Sequence, residues 1–124
     1  MLLLDTHVLI WWLDGDWDHF SEAMLEKLRD GSTQVYVSAV SAWEMAIKSS
    51  KGKLKTPDDL PAVMIASRFK ELPISLSHTL ATRALPRHHG DPFDRLLVAQ
   101  ALTEDAGLVS RDARLDAYGI RRLW

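Results

Sequence analysis

Short apolar runs alternate with helical stretches along almost the whole chain, and this alternation is the strongest constraint on its fold. The apolar runs predict strands at residues 2–4, 35–37, 72–74, 108–109 and 120–124. The stretches between them predict helices at residues 8–12, 21–29, 56–69, 77–84, 92–106 and 112–118, with a further helix that starts after Ser38 or Ser41. Strands that alternate with helices predict an α/β fold, a parallel sheet covered by helices on both faces.

The helix predicted at residues 92–106 adds a second constraint. Its centre, Leu96 to Ala99, is apolar nearly all round. Such a helix is buried on every side, so it belongs at the centre of the packing. A chain of 124 residues is long enough for one such core, and we expect a single domain over residues 1–124.

Composition limits the classes of function. The formal net charge is −2, unlike that of a simple polyanion-binding domain, but setting aside four candidate ligand carboxylates leaves +2 on the rest of the chain. The absence of cysteine excludes disulfides and thiolate metal sites. No signal-peptide pattern or membrane-length apolar run occurs, so we expect a cytoplasmic protein with no membrane partner.

Four acidic residues stand at predicted strand ends or in early helical turns: Asp5, Glu44, Asp94 and Asp112. In a parallel sheet such positions converge on the edge formed by the carboxyl ends of the strands, where α/β proteins usually bind ligands. Carboxylates gathered at one place repel one another, so they either raise a pKa or hold a divalent cation. The pattern therefore predicts a metal-binding carboxylate cluster.

Helix capping is the competing interpretation for three of these acids. Asp5 and Asp112 each precede a predicted helix, where aspartate often serves as the N-cap. Ser41 and Glu44 match the S-x-x-E capping box, in which the glutamate bonds the backbone of the cap residue. If the helix begins at Ser38 instead, Glu44 lies beyond the first turn and the capping interpretation fails.

The segment around Asp94 contains two aspartates with different predicted roles. Asp91 precedes Pro92 and is a good N-cap, because proline is favoured at the first helical position. Asp94 stands at the start of an apolar helix, where a carboxylate without a partner would be costly. We therefore favour Asp94 as a ligand and Asp91 as a structural residue, while a role for Asp91 at the site stays open.

Oxygen ligands and nearby basic residues suggest a reaction. Mg²⁺ and Mn²⁺ prefer hard oxygen ligands, and metal ions held by carboxylates can promote hydrolysis of a phosphodiester. Lys48 follows Glu44 on the same predicted helix, and Arg87 and Arg95 flank Asp94, so all three are candidate contacts for substrate phosphates, with a solvated basic face as the alternative for Lys48. His88 and His89 are either metal ligands, a general base, or solvated loop residues.

Four segments together carry a family resemblance. They are LLDTH at residues 3–7, SAVSAWE at 38–44 with Lys48 after it, HHGDPFDRLLVAQA at 88–101, and LVSRD at 108–112. In this order and spacing they resemble PIN-domain ribonucleases, and more narrowly the VapC-type toxins of bacterial toxin–antitoxin pairs. The resemblance runs from Met1 to Trp124.

The resemblance implies a PIN-domain fold and endonucleolytic cleavage of RNA with Mg²⁺ or Mn²⁺. It assigns the family's acidic quartet to Asp5, Glu44, Asp94 and Asp112, and its small hydroxyl residues to Thr6 and Ser110. It also implies a cognate VapB-type antitoxin that obstructs the site, a homodimer, and a hetero-oligomer with the antitoxin.

Two rival functions use the same acidic edge. A receiver-like phosphoacceptor domain needs paired acids after the first strand and a late lysine, but Asp5 stands alone and no lysine follows Lys70. A catalytically silent module could use its acidic pocket to bind a partner protein.

Overall fold

The computed structural model describes residues 1–57 and 59–124. Within them the strands are β1 (Leu2–Leu4), β2 (Val35–Ser38), β3 (Phe69–Leu72), β4 (Gly107–Val109) and β5 (Arg122–Leu123). The α-helices are α1 (Thr6–Asp14), α2 (Glu22–Arg29), α3 (Ala39–Ser50), α4 (Leu60–Ala66), α5 (Leu76–Ala81) and α6 (Pro92–Thr103). Short 3₁₀ helices occupy Trp17–His19, Thr82–Ala84 and Ala113–Tyr118.

All five strands form one parallel sheet in the order β3-β2-β1-β4-β5, which confirms the predicted fold class. The central strand β1 pairs with β2 on one side and β4 on the other, so that Leu4 lies opposite both Val37 and Val109. Strands β1, β2 and β4 therefore end side by side. Each of them delivers the chain that follows it to the same edge of the sheet.

Alternate side chains of β1 enter two separate core layers. Leu2 and Leu4 pack on one face with apolar residues of α1 and α2, whereas Leu3 packs on the other with Leu97 and Val98 of α6. Leu3 and Val98 are fully buried. The prediction that the apolar helix after Pro92 lies at the centre of the packing is confirmed, because five consecutive residues of α6, 97–101, are buried.

Element boundaries in the middle of the chain differ from the prediction. Within the stretch predicted as a helix at residues 56–69, only α4 is helical, and Asp59 is its N-cap. Asp58, near the start of the predicted helix, lies outside the described residues. Its predicted end, Phe69, instead begins β3, because Phe69 pairs with Val35 and is buried in the core. The strand predicted at residues 72–74 is therefore displaced towards the N-terminus.

Later elements are shorter than predicted. Helix α6 ends at Thr103 rather than residue 106, the segment after Asp112 is a 3₁₀ helix, and the last strand covers only Arg122–Leu123. None of the helices within residues 1–57 and 59–124 is long and apolar enough to cross a membrane.

A fully buried glutamine joins three elements on one side of the sheet. The Ser38 hydroxyl, at the end of β2, donates a hydrogen bond to the side-chain oxygen of Gln100 on α6. The Gln100 amide donates to the Pro73 carbonyl, 3.3 Å away, and lies 3.3 Å from Nδ1 of the buried His78. Because Ser38 also caps α3, this network fixes the start of the helix that carries Glu44.

Replacing Gln100 with leucine is expected to lower the free energy of unfolding by about 1–3 kcal/mol, because it leaves the buried Ser38 hydroxyl without its acceptor. Urea unfolding of both proteins measures the difference. Leu102→Gln, the converse change at an exposed position of the same helix, serves as the control and should change stability by less than about 0.5 kcal/mol. Equal stabilities for Gln100→Leu and the native chain would contradict the assigned role.

Candidate metal centre

The four predicted acids come from four segments that meet at the carboxyl edge of the sheet. Asp5 follows β1 directly and is the N-cap of α1, and Asp112 follows β4 and caps the 3₁₀ helix that comes after it. Glu44 lies in the second turn of α3, after β2, and Asp94 lies in the first turn of α6. Because β2, β1 and β4 are parallel neighbours, the segments that carry Asp5, Glu44 and Asp112 come together.

Burial and nearby charges raise the pKa of two of these carboxylates. Burial, together with the nearby charges of Asp91, Asp5 and Glu44, raises the pKa of Asp94 from 3.8 to about 6, against the opposing effect of His89. Burial likewise raises the pKa of Asp5, to which the charge of Asp112 contributes. Holding these acids ionised and close together costs free energy, and a bound cation would recover it.

Glu44 is a buried residue of the second turn of α3 and does not cap that helix. The Ser38 hydroxyl accepts the Val40 N–H at 3.0 Å, so α3 starts at Ala39 and the capping-box interpretation from Ser41 is wrong. Glu44 is only 4% exposed. Its Oε2 accepts a hydrogen bond of 2.7 Å from Lys48 Nζ, whereas its Oε1 is buried without a hydrogen-bond partner in the described part of the chain.

Asp5 and Asp112 both act as caps, so the structural and functional interpretations coexist. Oδ1 of Asp5 accepts the Val8 N–H at 2.8 Å. Asp112 accepts the Arg114 N–H through Oδ1 and also binds the Arg114 guanidinium through both oxygens, at 2.9 and 2.8 Å. The hydrogen bonds from this guanidinium lower the pKa of Asp112.

Two buried hydroxyls lie beside the acids, as the family resemblance implies. The Thr6 hydroxyl donates to Ser41 Oγ at 3.0 Å, which links the starts of α1 and α3. The Ser110 hydroxyl accepts the Asp112 N–H at 3.1 Å and also lowers the pKa of Asp5. Both side chains hold the carboxylate-bearing segments in place.

Of the flanking basic residues, Arg95 has a different role from the predicted phosphate contact. Its guanidinium donates to the carbonyls of Thr82, Leu85 and Pro86, at 3.1, 3.3 and 2.8 Å. These bonds anchor the loop before α6, a structural role that the sequence did not predict, while Arg95 also lines the groove beside the site and its phosphate contact stays a prediction. Arg87 is exposed and lines a groove of about 640 Å³ beside the site.

The remaining candidates near α6 separate clearly. Asp91 is the predicted N-cap, since its Oδ1 accepts the N–H groups of Phe93 and Asp94 at 2.8 and 3.3 Å. His88 is exposed and packs edge-on against Tyr118. His89 instead turns inwards, and one ligand atom each from His89, Asp94 and Asp112 lie within 4.8 Å of one another.

The donor set fits a hard divalent cation. The site offers clustered carboxylate oxygens, one of them the buried Glu44 Oε1 that has no hydrogen-bond partner among the described residues. An unpaired buried oxygen is costly unless a ligand satisfies it. Oxygen-rich sites of this kind suit Mg²⁺ and Mn²⁺ better than softer metals.

Sequence reasoning overlooked Arg114 and Ser41 as neighbours of the acids. Arg114 stands two residues after Asp112 in a polar segment, where nothing distinguishes it from other exposed arginines. Ser41 is fully buried and accepts from Thr6, a contact between residues 35 positions apart. The Ser41 hydroxyl was a visible signal, but the capping-box pattern gave it a different role.

Fold and site together define an α/β domain with an acidic centre at the carboxyl edge of its parallel sheet. The PIN domain family model matches residues 2–120, and the chain therefore belongs to the PIN-domain family. This match removes the basis for the receiver-like alternative.

Relatives cover nearly the whole chain. The sequence is 28% identical over 122 residues to Ribonuclease VapC22 of Mycobacterium tuberculosis, with 94% of this chain and 91% of the relative aligned. The fold of this chain resembles that in the crystal structure of Rickettsia felis VapBC2 bound to a promoter DNA fragment. The TM-score is 0.76 and the identity 18%, with 98% of this chain and 96% of the other chain aligned. DNA-bound VapBC from Salmonella typhimurium gives TM-score 0.72 and 18% identity, with the same coverage.

Proposed function

We propose that this protein is an endoribonuclease of the VapC type that acts as the toxin of a toxin–antitoxin pair. The observation that carries the proposal is the convergence of Asp5, Glu44, Asp94 and Asp112 at one sheet edge, with the buried Glu44 Oε1 unpaired among the described residues. Membership of the PIN-domain family and the similarity to Ribonuclease VapC22 support it.

Asp5, Asp94 and Glu44 would hold a divalent ion, Mg²⁺ or Mn²⁺, and Asp112 would complete this site or help to hold a second ion. When bound, such an ion makes a water nucleophilic near neutral pH and offsets the charge that develops on the phosphodiester. Thr6 and Ser110 orient the acid-bearing segments through their hydrogen bonds.

Basic side chains around the site would bind the RNA backbone. Lys48 is half-buried and pairs with Glu44, so neutralising that glutamate would free the ammonium for a phosphate. Arg87 lines the adjacent groove, together with the exposed Trp43. Such contacts position RNA without reading its sequence.

Partners follow from the same proposal. The solved complexes that share this fold are toxin–antitoxin assemblies, some of them bound to DNA. A VapB-type antitoxin would cover the acidic edge and obstruct access of RNA. A homodimer, a hetero-oligomer with this antitoxin, and a cytoplasmic location complete the proposal.

Incubation of purified, antitoxin-free protein with total RNA tests the function. We expect discrete fragments with Mg²⁺ or Mn²⁺. We expect none with EDTA, because EDTA removes the ion, and none from an Asp5→Asn variant, because that variant lacks one of the carboxylates. Comparison of one RNA oligonucleotide with a single-stranded DNA of the same sequence and length tests the preference for RNA. Absence of cleavage by folded protein that binds metal would favour the silent binding module.

A further inference from the structure

His89 is an inward-facing residue of the loop before α6 that has no role in the proposed chemistry so far. Its side chain is 13% exposed, and its backbone carbonyl accepts a 3.5 Å hydrogen bond from the Tyr118 hydroxyl. Arg95 donates to that same hydroxyl at 3.3 Å and to the Pro86 carbonyl. Arg95 and Tyr118 thus brace the loop and hold the imidazole against the acidic site.

One hydrogen bond determines which ring nitrogen of His89 carries the proton. The backbone N–H of Asp91 donates to Nδ1 at 3.1 Å. A backbone N–H can only donate, so Nδ1 is the acceptor and the proton of the neutral ring lies on Nε2. A protonated Nε2 has no lone pair to offer a metal. His89 is therefore unsuited to direct ligation, although its distances to Asp94 and Asp112 resemble those of a ligand set.

The Nε2–H group points between two of the carboxylates. It lies 3.5 Å from Oδ2 of Asp94 and 3.8 Å from Oδ2 of Asp112, and it is buried without a hydrogen-bond partner in the described part of the chain. Small movements of either carboxylate towards it would form a hydrogen bond. These two acids come from different elements, α6 and the segment after β4, which meet at the site.

We propose that His89 is a positioning residue of the metal centre, whose Nε2–H donates to the carboxylates of Asp94 and Asp112 and orients them, rather than a metal ligand. This inference rests on the proposed function, since it assigns a task to His89 at that same site. Donors behind the ligands commonly change metal affinity by 10- to 100-fold when removed.

Ring-nitrogen NMR of ¹⁵N-histidine-labelled protein tests the assignment directly. We expect Nε2 to carry the proton in the metal-free protein, and to keep it when Mg²⁺, which is diamagnetic, is added. Loss of the Nε2 proton on addition of Mg²⁺, with the nitrogen shift of direct ligation, would overturn the proposal.

Calorimetric titration of Mg²⁺ and Mn²⁺ separates the two roles by a second route. The His89→Leu variant should bind Mg²⁺ and Mn²⁺ about tenfold more weakly than the native protein. The loss should be similar for both ions, because the variant lacks a donor to oxygen ligands. His89→Gln, which can present an N–H near the same place, should recover much of that affinity, and the exposed neighbour His88→Gln should change nothing. A loss confined to Mn²⁺ would indicate a nitrogen ligand, and unchanged affinity in His89→Leu would also contradict the proposal.

The outcomes distinguish this inference from the proposed function. A native protein that cleaves no RNA, but binds both ions with affinities that depend on His89, would reject the nuclease and retain the positioning role. RNA cleavage with affinities independent of His89 would do the reverse. A native protein that binds neither ion would overturn both.

Discussion

Replacement of Asp94 by asparagine is expected to reduce RNA cleavage by at least roughly 1,000-fold, the scale on which enzymes lose activity when a central group of the site is removed. Asparagine keeps the shape of the side chain but loses the charge that would bind a cation. The backbone N–H of residue 94 still bonds Asp91, so the start of α6 should be unchanged. Cleavage of labelled RNA over a series of protein concentrations measures the loss.

Asp105→Asn is the matched control for that experiment. The Asp105 side chain is 99% exposed, and its positive φ of 51° is one that asparagine also tolerates. This variant should cleave RNA at the native rate. Cleavage by Asp94→Asn within a few-fold of the control would show that Asp94 is not part of the catalytic centre.

The Asp94→Asn variant should also be more stable than the native chain when metal is absent. The pKa of Asp94 is raised to about 6 from 3.8, so the folded state binds its proton more tightly than the unfolded state. Stability from this group is complete below about pH 4 and is lost as pH rises through about 6. The loss reaches up to about 3 kcal/mol above that window, and asparagine avoids it.

Chemical unfolding in EDTA at pH 4 and pH 7.5 measures this effect. Asp94→Asn and the native protein should have similar stability at pH 4, and the variant should be more stable at pH 7.5. The comparison cancels other titrations, including that of Asp112, whose pKa is lowered and whose pH dependence has the opposite sign. Mg²⁺ should stabilise the native protein and leave the variant unchanged. A native protein that is the more stable at pH 7.5 without metal would contradict the raised pKa.

Together, the expected loss of cleavage and the expected gain in stability of Asp94→Asn indicate that the carboxylate needed for activity lowers the stability of the metal-free protein. The carboxylates of Asp94, Asp5 and Glu44 raise the free energy of the metal-free protein because they repel one another. Lys48 and Arg114 compensate part of that repulsion by pairing with Glu44 and Asp112. A divalent ion would complete the compensation and release both basic side chains.

Local patterns predicted much of the fold. Alternating apolar runs and helical stretches predicted the parallel sheet, and the apolar character of Leu97 and Val98 predicted the buried position of α6. The boundary between α4 and β3 was predicted wrongly. Phe69 joins a strand because it pairs with Val35 across the sheet, a contact that a local pattern does not contain.

The positions of the four acids at strand ends and in early helical turns were predictable, but their hydrogen-bond partners were not. Glu44 looked like part of a capping box, and only the observed cap at Ser38 places it beyond the first turn. Arg95 was predicted as a phosphate contact, and the structure adds a role that the sequence did not show, because its guanidinium binds three backbone carbonyls. Neither role followed from the local pattern alone, because the partner of a polar side chain depends on how the folded backbone places it.

By itself the sequence determined the α/β class, the central helix, and the four acids at strand ends and early helical turns, because these follow from periodicity and short-range chemistry. Only the tertiary structure decided which distant side chains hold the acid-bearing segments together, such as the Thr6 hydroxyl, which donates to Ser41 Oγ. The physical reason is that the strand order of the sheet sets which segments meet. Burial then sets the pKa of each acid and the value of each hydrogen bond, and both depend on the whole fold.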